Sequence, residues 1–327
     1  MTHNEFLQEW NNDSPFVEVK TSGSTGAPKH MLVEKTRMLA SARTTCDFLG
    51  LHEGDTALLC MPLDYIAGKM MVVRSIERKL RLTVVKPSLH PLAGMIEPFD
   101  FIAMVPSQVF ETLKVPTEAE LLLRSKNVII GGGAITPELK KLIDISLPSG
   151  EGRGGACLFS TYGMTETLSH IALRRIQDDW YTPFDGISIS LNQDNCLVIN
   201  APAICQEYIT TNDIAEIRDG KFRILGRKDN VICSGGIKIQ AEEVEALLEP
   251  HLPHPFLITK KKDPRFGEVV VLVTESHDLD VIKQICQQRL PRYWQPKEYL
   301  HIDKLPMTET GKKKCNLAIS TIDTNDK

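Results

Sequence analysis

Val19-Lys20-Thr21-Ser22-Gly23-Ser24-Thr25-Gly26-Ala27-Pro28-Lys29 places four hydroxyl side chains, two glycines and a closing lysine between an apolar strand candidate, Phe16 to Val19, and a helical pattern that begins near Glu34. Glycines let a loop turn its backbone amides inward, the hydroxyls add donors and the lysine adds a fixed positive charge, so such a loop can hold a polyphosphate. It is not a Walker A loop, because Pro28 precedes Lys29 and His30 follows it where that pattern needs Gly-Lys-Ser/Thr opening into a helix. Composition alone describes a surface turn equally well.

The flanking sequence sets bounds. A chain of 327 residues with 42% hydrophobic and 24% charged residues can bury a sizeable core and is long enough for two domains. A formal net charge of -4 leaves no global basic field, so nucleic acid is not an expected partner. The short runs Lys260 to Lys262 and Lys312 to Lys314 read as solvated faces. Eight scattered cysteines, without a Cys-x-x-Cys pair, indicate neither a disulfide framework nor a structural metal site, and fit a cytoplasmic protein with reduced thiols. The first residues lack a basic start followed by an apolar run, and no apolar segment approaches the ~18 residues of a membrane helix, so a soluble, unexported protein is expected.

Along the chain, Met38 to Leu51 carries apolar residues at helical spacing and stops at Gly50. Thr56 to Met61 reads as a buried strand closed by Pro62, followed by Leu63 to Gly68, a helix to Lys79 and a strand at Leu82 to Val85. The pattern repeats with a strand at Phe101 to Val105, a helix from Ser107 to Leu113, a strand at Asn127 to Ile130 and then Gly131-Gly132-Gly133-Ala134. Such alternation predicts a mainly parallel sheet, whose ligands sit at the carboxyl ends of the strands. From Ile187 to Ile224 short strands and turns suggest a small β-rich subdomain. Beyond Asp229, a helix at Ala241 to Leu248, strands at Phe256 to Thr259 and Val269 to Thr274, and a helix at Leu279 to Leu290 suggest a separate α+β module. The predicted fold is therefore α/β: a large N-terminal domain, residues 1–228, and a small C-terminal domain, residues 229–327.

Further constellations follow in order. Ser160-Thr161-Tyr162-Gly163-Met164-Thr165-Glu166-Thr167 follows a strand candidate, and its glutamate offers the hard oxygen that magnesium takes beside phosphates, although Thr-x-x-Glu is also a capping pattern. Gly131 to Ala134 allows close backbone approach to a flat ring, or makes a tight turn capped by Thr136-Pro137. Thr211-Asn212-Asp213, Gly226-Arg227 and Pro306-Met307-Thr308-Glu309-Thr310-Gly311-Lys312 complete the set.

In this order the motifs resemble those of the adenylate-forming superfamily of acyl-CoA ligases, luciferases and adenylation domains, from residue 19 to about residue 318. The resemblance implies that Thr21, Ser22, Gly23, Ser24, Thr25, Gly26 and Lys29 hold the β- and γ-phosphates of ATP. It implies that Gly132, Gly133 and Ala134 meet the adenine, and that Thr161, Tyr162, Gly163 and Met164 line the nucleotide. Thr165 is expected to meet the α-phosphate, Glu166 to bind magnesium, and Asp213 and Arg227 to hold the ribose. Asp229 is expected to be the hinge of a mobile small domain, and Lys312 to be catalytic. Asn212 stands in place of the usual glycine.

Family membership would imply adenylation of a carboxylate followed by transfer to coenzyme A. Full-length members carry a long segment before the phosphate loop, so a large domain shortened at its front is expected. Phe101 to Leu113 and Thr165 to His170 look most like the o-succinylbenzoate–CoA ligases of menaquinone biosynthesis, some of them compact. The substrate would be a small aromatic or dicarboxylic acid, and a dicarboxylate needs a second cationic or donor group, for which Ser169, His170 and Arg174, read as helical, are candidates, with Tyr65 gating the acyl pocket. Another acyl- or aryl-CoA ligase, or a non-catalytic nucleotide-binding remnant, are the alternatives. The sequence is silent on oligomeric state.

Overall fold

The computed structural model describes residues 1–20, 30–147 and 155–305. Helix α1 (His3–Asn11) starts at a capping box, Thr2 accepting from the Glu5 amide and Glu5 from the Thr2 amide, and buries Phe6 and Trp10. Strands β1 (Phe16–Lys20) and β2 (His30–Glu34) form an antiparallel pair on either side of the hydroxyl-rich loop. Helix α2 (Lys35–Leu49) ends at Gly50, whose left-handed backbone is the C-terminal signal read from the sequence.

Then come β3 (Thr56–Leu59), α3 (Ile66–Arg78), β4 (Arg81–Val84), β5 (Phe101–Met104), α4 (Pro106–Lys114), α5 (Pro116–Arg124), β6 (Asn127–Ile130), α6 (Pro137–Ser146), β7 (Cys157–Gly163), β8 (His170–Arg175) and β9 (Thr182–Pro183). The strands make one sheet in the order β4-β3-β5-β6-β7-β8-β9. Its first five members are parallel, and β8 and β9 return antiparallel. Two helices went unassigned in the sequence, α5 and α6, each opening with proline at its first turn.

The apolar strand runs read as buried on both faces, as parallel strands between helix layers must be. On one face Leu58, Ile102, Met104, Val128, Ile130 and Leu158 pack with Val109, Leu121, Leu139 and Ile143 of α4, α5 and α6. The alternate residues Ala57, Leu59, Phe101, Ala103 and Ile129, which point to the other face, are equally buried. Each large side chain so enclosed contributes about 1.5–3 kcal/mol. The chain crosses from β4 back past β3 to β5, so the order of strands reverses between β3 and β5, the place where open α/β sheets form their crevice.

Strands β10 (Ser188–Leu191), β11 (Cys196–Asn200), β12 (Ile209–Arg218) and β13 (Lys221–Arg227) form a four-stranded sheet, with left-handed turn residues at Asn195, Asp219 and Gly220 where turns were read. After them β14 (Val231–Ser234), β15 (Ile237–Gln240), α7 (Ala241–Leu248), β16 (Phe256–Asp263), β17 (Gly267–Thr274), α8 (Leu279–Arg289) and β18 (Glu298–His301) make a five-stranded sheet carrying two helices. Val244, Leu248, Ile282 and Cys286 of the helices seal against Ile232, Ile258, Val270 and Leu272.

By packing the chain divides into two units. One holds Met1–Ser190, Val198–Ile209 and Ile217–Phe222; the other holds Leu191–Leu197, Thr210–Glu216 and Arg223–Lys327. Among the described residues no helix is long and apolar enough to cross a membrane.

Candidate active site

The parallel strands of the first unit deliver their carboxyl ends to one edge, and the motif residues described there stand on those ends. Ile130 pairs with Ser160, so Gly131 lies beside Thr161. A Cβ at Gly131 would come 2.5 Å from Thr161 Oγ1, so the missing side chain makes room for that hydroxyl. Gly132 adopts φ +79°, and Thr136 caps α6 by accepting from the Leu139 amide at 3.2 Å. The tight capped turn read as an alternative is therefore what Gly132, Gly133 and Ala134 build, with Gly133 against Pro106 at the start of α4.

Tyr162 packs its ring 5.0 Å from Phe222 and 5.8 Å from Tyr181, and Tyr181 is fixed by Ser160 at 3.0 Å and by the Arg174 guanidinium over its ring at 5.1 Å. Gly163 approaches the next strand so closely that a Cβ there would strike the Ser169 carbonyl and the His170 Cα. Between them Met164 to Ser169 folds into a knot around the buried Thr167. Its hydroxyl accepts from the Met164 amide at 3.0 Å and lies within 2.9 Å of the Met164 carbonyl and 2.7 Å of the Ser169 carbonyl. Leu168 is held at φ +61°, a left-handed backbone that a branched side chain adopts only when its surroundings impose it. Thr165 and Glu166 ride on this knot as a single 3-10 turn. The Glu166 carboxylate has no ion pair or hydrogen bond among the described residues, while its backbone carbonyl accepts from the Cys205 thiol at 3.2 Å.

The expectation that His170 and Arg174 lie on a helix is corrected. They belong to β8, which pairs antiparallel with β7 across a register shift at Tyr162/Gly163. The apolar run Ile171-Ala172-Leu173 is buried throughout, and a short run of that kind fits a strand between neighbours as well as a helix face. Arg174 is spent on the Asp178 carbonyl and the Tyr181 ring.

The cation beside Ser169 is instead Arg74 of α3, only 2% exposed, whose Nη2 donates to Ser169 Oγ at 2.6 Å. Its Nε is buried with no partner, and no carboxylate pairs with it among the described residues. Burial brings the Arg74 guanidinium down to about 10, which leaves it charged at neutral pH. His170 is buried as well, and its imidazole is pushed well below the usual histidine range by desolvation first and by the Arg74 charge second, so it is neutral. Nothing in the sequence singled out Arg74. The apolar residues around it, Met70 to Val73, gave the only hint that this part of α3 is enclosed on all sides.

Tyr65 stands at the amino end of α3, 40% exposed, on the turn that follows β3. The turn is pinned because Gly68 lies against the Pro62 carbonyl. At the switch point, Gln108 of α4 spans the ends of β3 and β5. Its amide donates to the Cys60 carbonyl at 3.0 Å and the Ser88 carbonyl at 2.8 Å, and its oxygen accepts from the Val105 amide at 3.1 Å. The hairpin that leads into the hydroxyl-rich loop is anchored through Glu18, whose carbonyl accepts from the buried Lys69 at 2.5 Å and whose amide donates to Glu9 at 3.0 Å; Lys69 and Glu9 pair at 3.1 Å. Thr21, Ser22, Gly23, Ser24, Thr25, Gly26 and Lys29 lie outside the described residues, as does Lys312.

In the second unit Asp213, Arg227 and Asp229 come together. Arg227 reaches Asp213 at 3.3 Å and Asp229 at 3.2 Å, and Asn212 also donates to Asp229 at 3.2 Å. Asn212 sits in β12 without a left-handed backbone, so this departure from glycine needs no special conformation; its side chain is used to reach Asp229.

The model of the AMP-binding enzyme family matches residues 4–198. This chain belongs to the AMP-binding enzyme family. It is 28% identical over 299 residues to the 2-succinylbenzoate–CoA ligase of Escherichia coli (strain K12), an alignment that takes in 86% of this chain and 63% of that one. The chain thus spans less than two thirds of that relative's length. A solved acyl-CoA synthetase (AMP-forming)/AMP-acid ligase II-like protein from Dyadobacter fermentans superposes with a TM-score of 0.63 at 31% identity, covering 97% of this chain and 93% of its own. The fold is shared as well by the O-succinylbenzoate coenzyme A synthetase of Bacillus subtilis in complex with ATP and magnesium ion. There the TM-score is 0.74 at 21% identity, over 91% of this chain and 68% of that one.

Proposed function

We propose that this chain is an ATP-dependent acid–thiol ligase that adenylates a carboxylate and passes the acyl group to coenzyme A, with o-succinylbenzoate as the acid and menaquinone biosynthesis in the cytoplasm as its setting. The observation that carries the choice of acid is Arg74: a buried guanidinium that donates to Ser169, just past Glu166 in sequence, and pairs with no carboxylate among the described residues. A buried cation left unpaired is costly, and an anionic ligand group removes that cost. A substrate with a second carboxylate supplies one; a simple aryl acid does not.

Residues 1–228 are read as the domain that binds ATP and acid, and residues 229–327 as the small domain that brings Lys312 to them, with Asp229 as hinge. Glu166 fits a magnesium ion, since the ion is typically held by one or two carboxylates and phosphate oxygens and this carboxylate pairs with none of the described residues. Magnesium would neutralise the phosphates and help pyrophosphate leave. Thr21, Ser22, Ser24, Thr25 and Lys29 hold the β- and γ-phosphates in this reading. Tyr162, its ring set by Tyr181 and Phe222, offers a flat face for the adenine beside Gly132, Gly133 and Ala134. Asp213, oriented by Arg227, takes the ribose hydroxyls.

The acid's carboxylate then attacks the α-phosphorus, Thr165 and Lys312 stabilise the oxygens on which charge builds, and in a second step the thiol of coenzyme A displaces AMP. Such reactions need alignment and charge compensation more than covalent help. The test is AMP and thioester formation from ATP, coenzyme A and a panel of acids. 2-Succinylbenzoate is expected to lead, and turnover with none of the acids would leave a nucleotide-binding remnant. Lys312→Ala is expected to slow adenylation about a hundredfold to a thousandfold while sparing thioester formation from preformed adenylate. Equal loss in both steps would rule out a lysine that serves only the first.

A further inference from the structure

Behind Ser169 a line of hydrogen-bonded side chains runs from α3 through β8 to α2. Arginine can only donate, so Ser169 Oγ must accept from Arg74 Nη2 at 2.6 Å. Ser169 Oγ also meets His170 Nδ1 at 3.2 Å, and in the tautomer where the serine donates this bond Nδ1 accepts and the imidazole proton sits on Nε2. In that tautomer Nε2 donates to Thr45 Oγ1 at 3.1 Å, and the threonine hydroxyl donates to the Ser41 carbonyl at 3.2 Å. The His170 ring plane is fixed independently by Phe184, edge-on at 5.5 Å. Thr45, Arg74 and His170 are buried, and Ser169 is partly exposed.

We propose that His170 and Thr45 are positioning residues that aim the Arg74–Ser169 pair, and that selection of acids bearing a second carboxylate depends on this relay rather than on a contact between His170 and the acid. The inference rests on the dicarboxylate reading above. It reassigns His170 from the substrate to the layer behind it and gives a role to Thr45, which lies 125 residues away in sequence. A neutral imidazole with a defined tautomer suits the place, because a second cation at this spot would repel Arg74 and a freely rotating group would let Ser169 swing.

The test compares Thr45→Val, Thr45→Ser and His170→Phe with Arg74→Met in the full chain, using 2-succinylbenzoate and benzoate as probes and thioester formation as readout. For Thr45→Val and His170→Phe the KM for 2-succinylbenzoate is expected to rise about tenfold, the cost of one misdirected hydrogen bond to a charged group, with kcat and the KM for ATP within about twofold. Thr45→Ser is expected to restore the parent KM. Imidazole nitrogen shifts in ¹⁵N-labelled protein should show His170 protonated on Nε2 from neutral pH downward, a readout that does not depend on turnover. If Arg74→Met leaves the KM for 2-succinylbenzoate unchanged, the dicarboxylate reading fails. If Arg74→Met raises it while Thr45→Val and His170→Phe do not, or if these two lower the melting temperature only, the relay is structural and the inference is overturned. A His170 ring protonated on Nδ1 would overturn it too.

Discussion

Two arginines of this chain stand in opposite circumstances. Among the described residues Arg74, 2% exposed, makes one hydrogen bond, to a neutral serine, and pairs with no carboxylate, whereas the Arg227 side chain is 48% exposed and spans the carboxylates of Asp213 and Asp229. Water and two partners make Arg227 cheap to hold and cheap to release, since exposed pairs are worth about 0.2–1 kcal/mol. A buried charge with no opposite charge beside it is costly, and an anion that reached Arg74 would relieve that cost. The first arrangement is easily broken and remade, and the second favours the approach of a negative charge.

The largest effect that would break this contrast is expected at Arg74→Met. Loss of the cation should raise the KM for 2-succinylbenzoate on the order of a hundredfold, since removing one partner of a buried charge pair costs about 2–5 kcal/mol of binding. The ligand-free protein should melt no lower than the parent, because methionine replaces an uncompensated charge with matching bulk. A strongly destabilised, substrate-competent Arg74→Met would show that the guanidinium is structural.

Much of the first unit was legible because strands β3, β5 and β6 are apolar runs bounded by proline, glycine or polar residues, and α7 was read to the residue from its spacing. The carboxyl ends that carry Gly131 to Ala134 and Tyr162 to Glu166 followed from that alternation. Strand β8 escaped because its turn depends on Leu168 held left-handed and on Gly163 meeting Ser169 and His170, which are contacts rather than patterns. Arg74 escaped because an arginine on a helix is usually solvated; its burial is decided by α2 and β8, remote in sequence. Thr45 and His170 are joined only by the fold.

A smaller effect sharpens the electrostatic side. The folded imidazole of His170 titrates well below the unfolded value of 6.5, so above that pH neither state binds the proton and nothing is lost. As pH falls below 6.5 the unfolded chain binds the proton first, and stability should drop by about 1.4 kcal/mol per pH unit until the folded value is reached. Arg74 is the charged group facing this ring, so the loss should shrink in Arg74→Met and vanish in His170→Phe, as read from denaturant unfolding between pH 7 and 5. A His170→Phe protein with the parent's pH slope would contradict the assignment.

The smallest effect is expected at Arg227→Gln. Exposure of its pairs limits the change in unfolding free energy to within about 1 kcal/mol, and raising the salt concentration should weaken the parent's pairs without moving the variant. A larger loss would mean that the second unit depends on this cluster for its fold and that the contrast with Arg74 is less sharp than drawn.

Acid-dependent ATP–pyrophosphate exchange tests the account most directly, since it reads adenylation alone. At equal concentration 2-succinylbenzoate should drive exchange at least about tenfold faster than benzoate, the factor that a charged hydrogen bond provides, and Arg74→Met should erase the difference. Exchange that is absent with every acid, or equal for both in the parent protein, would contradict it.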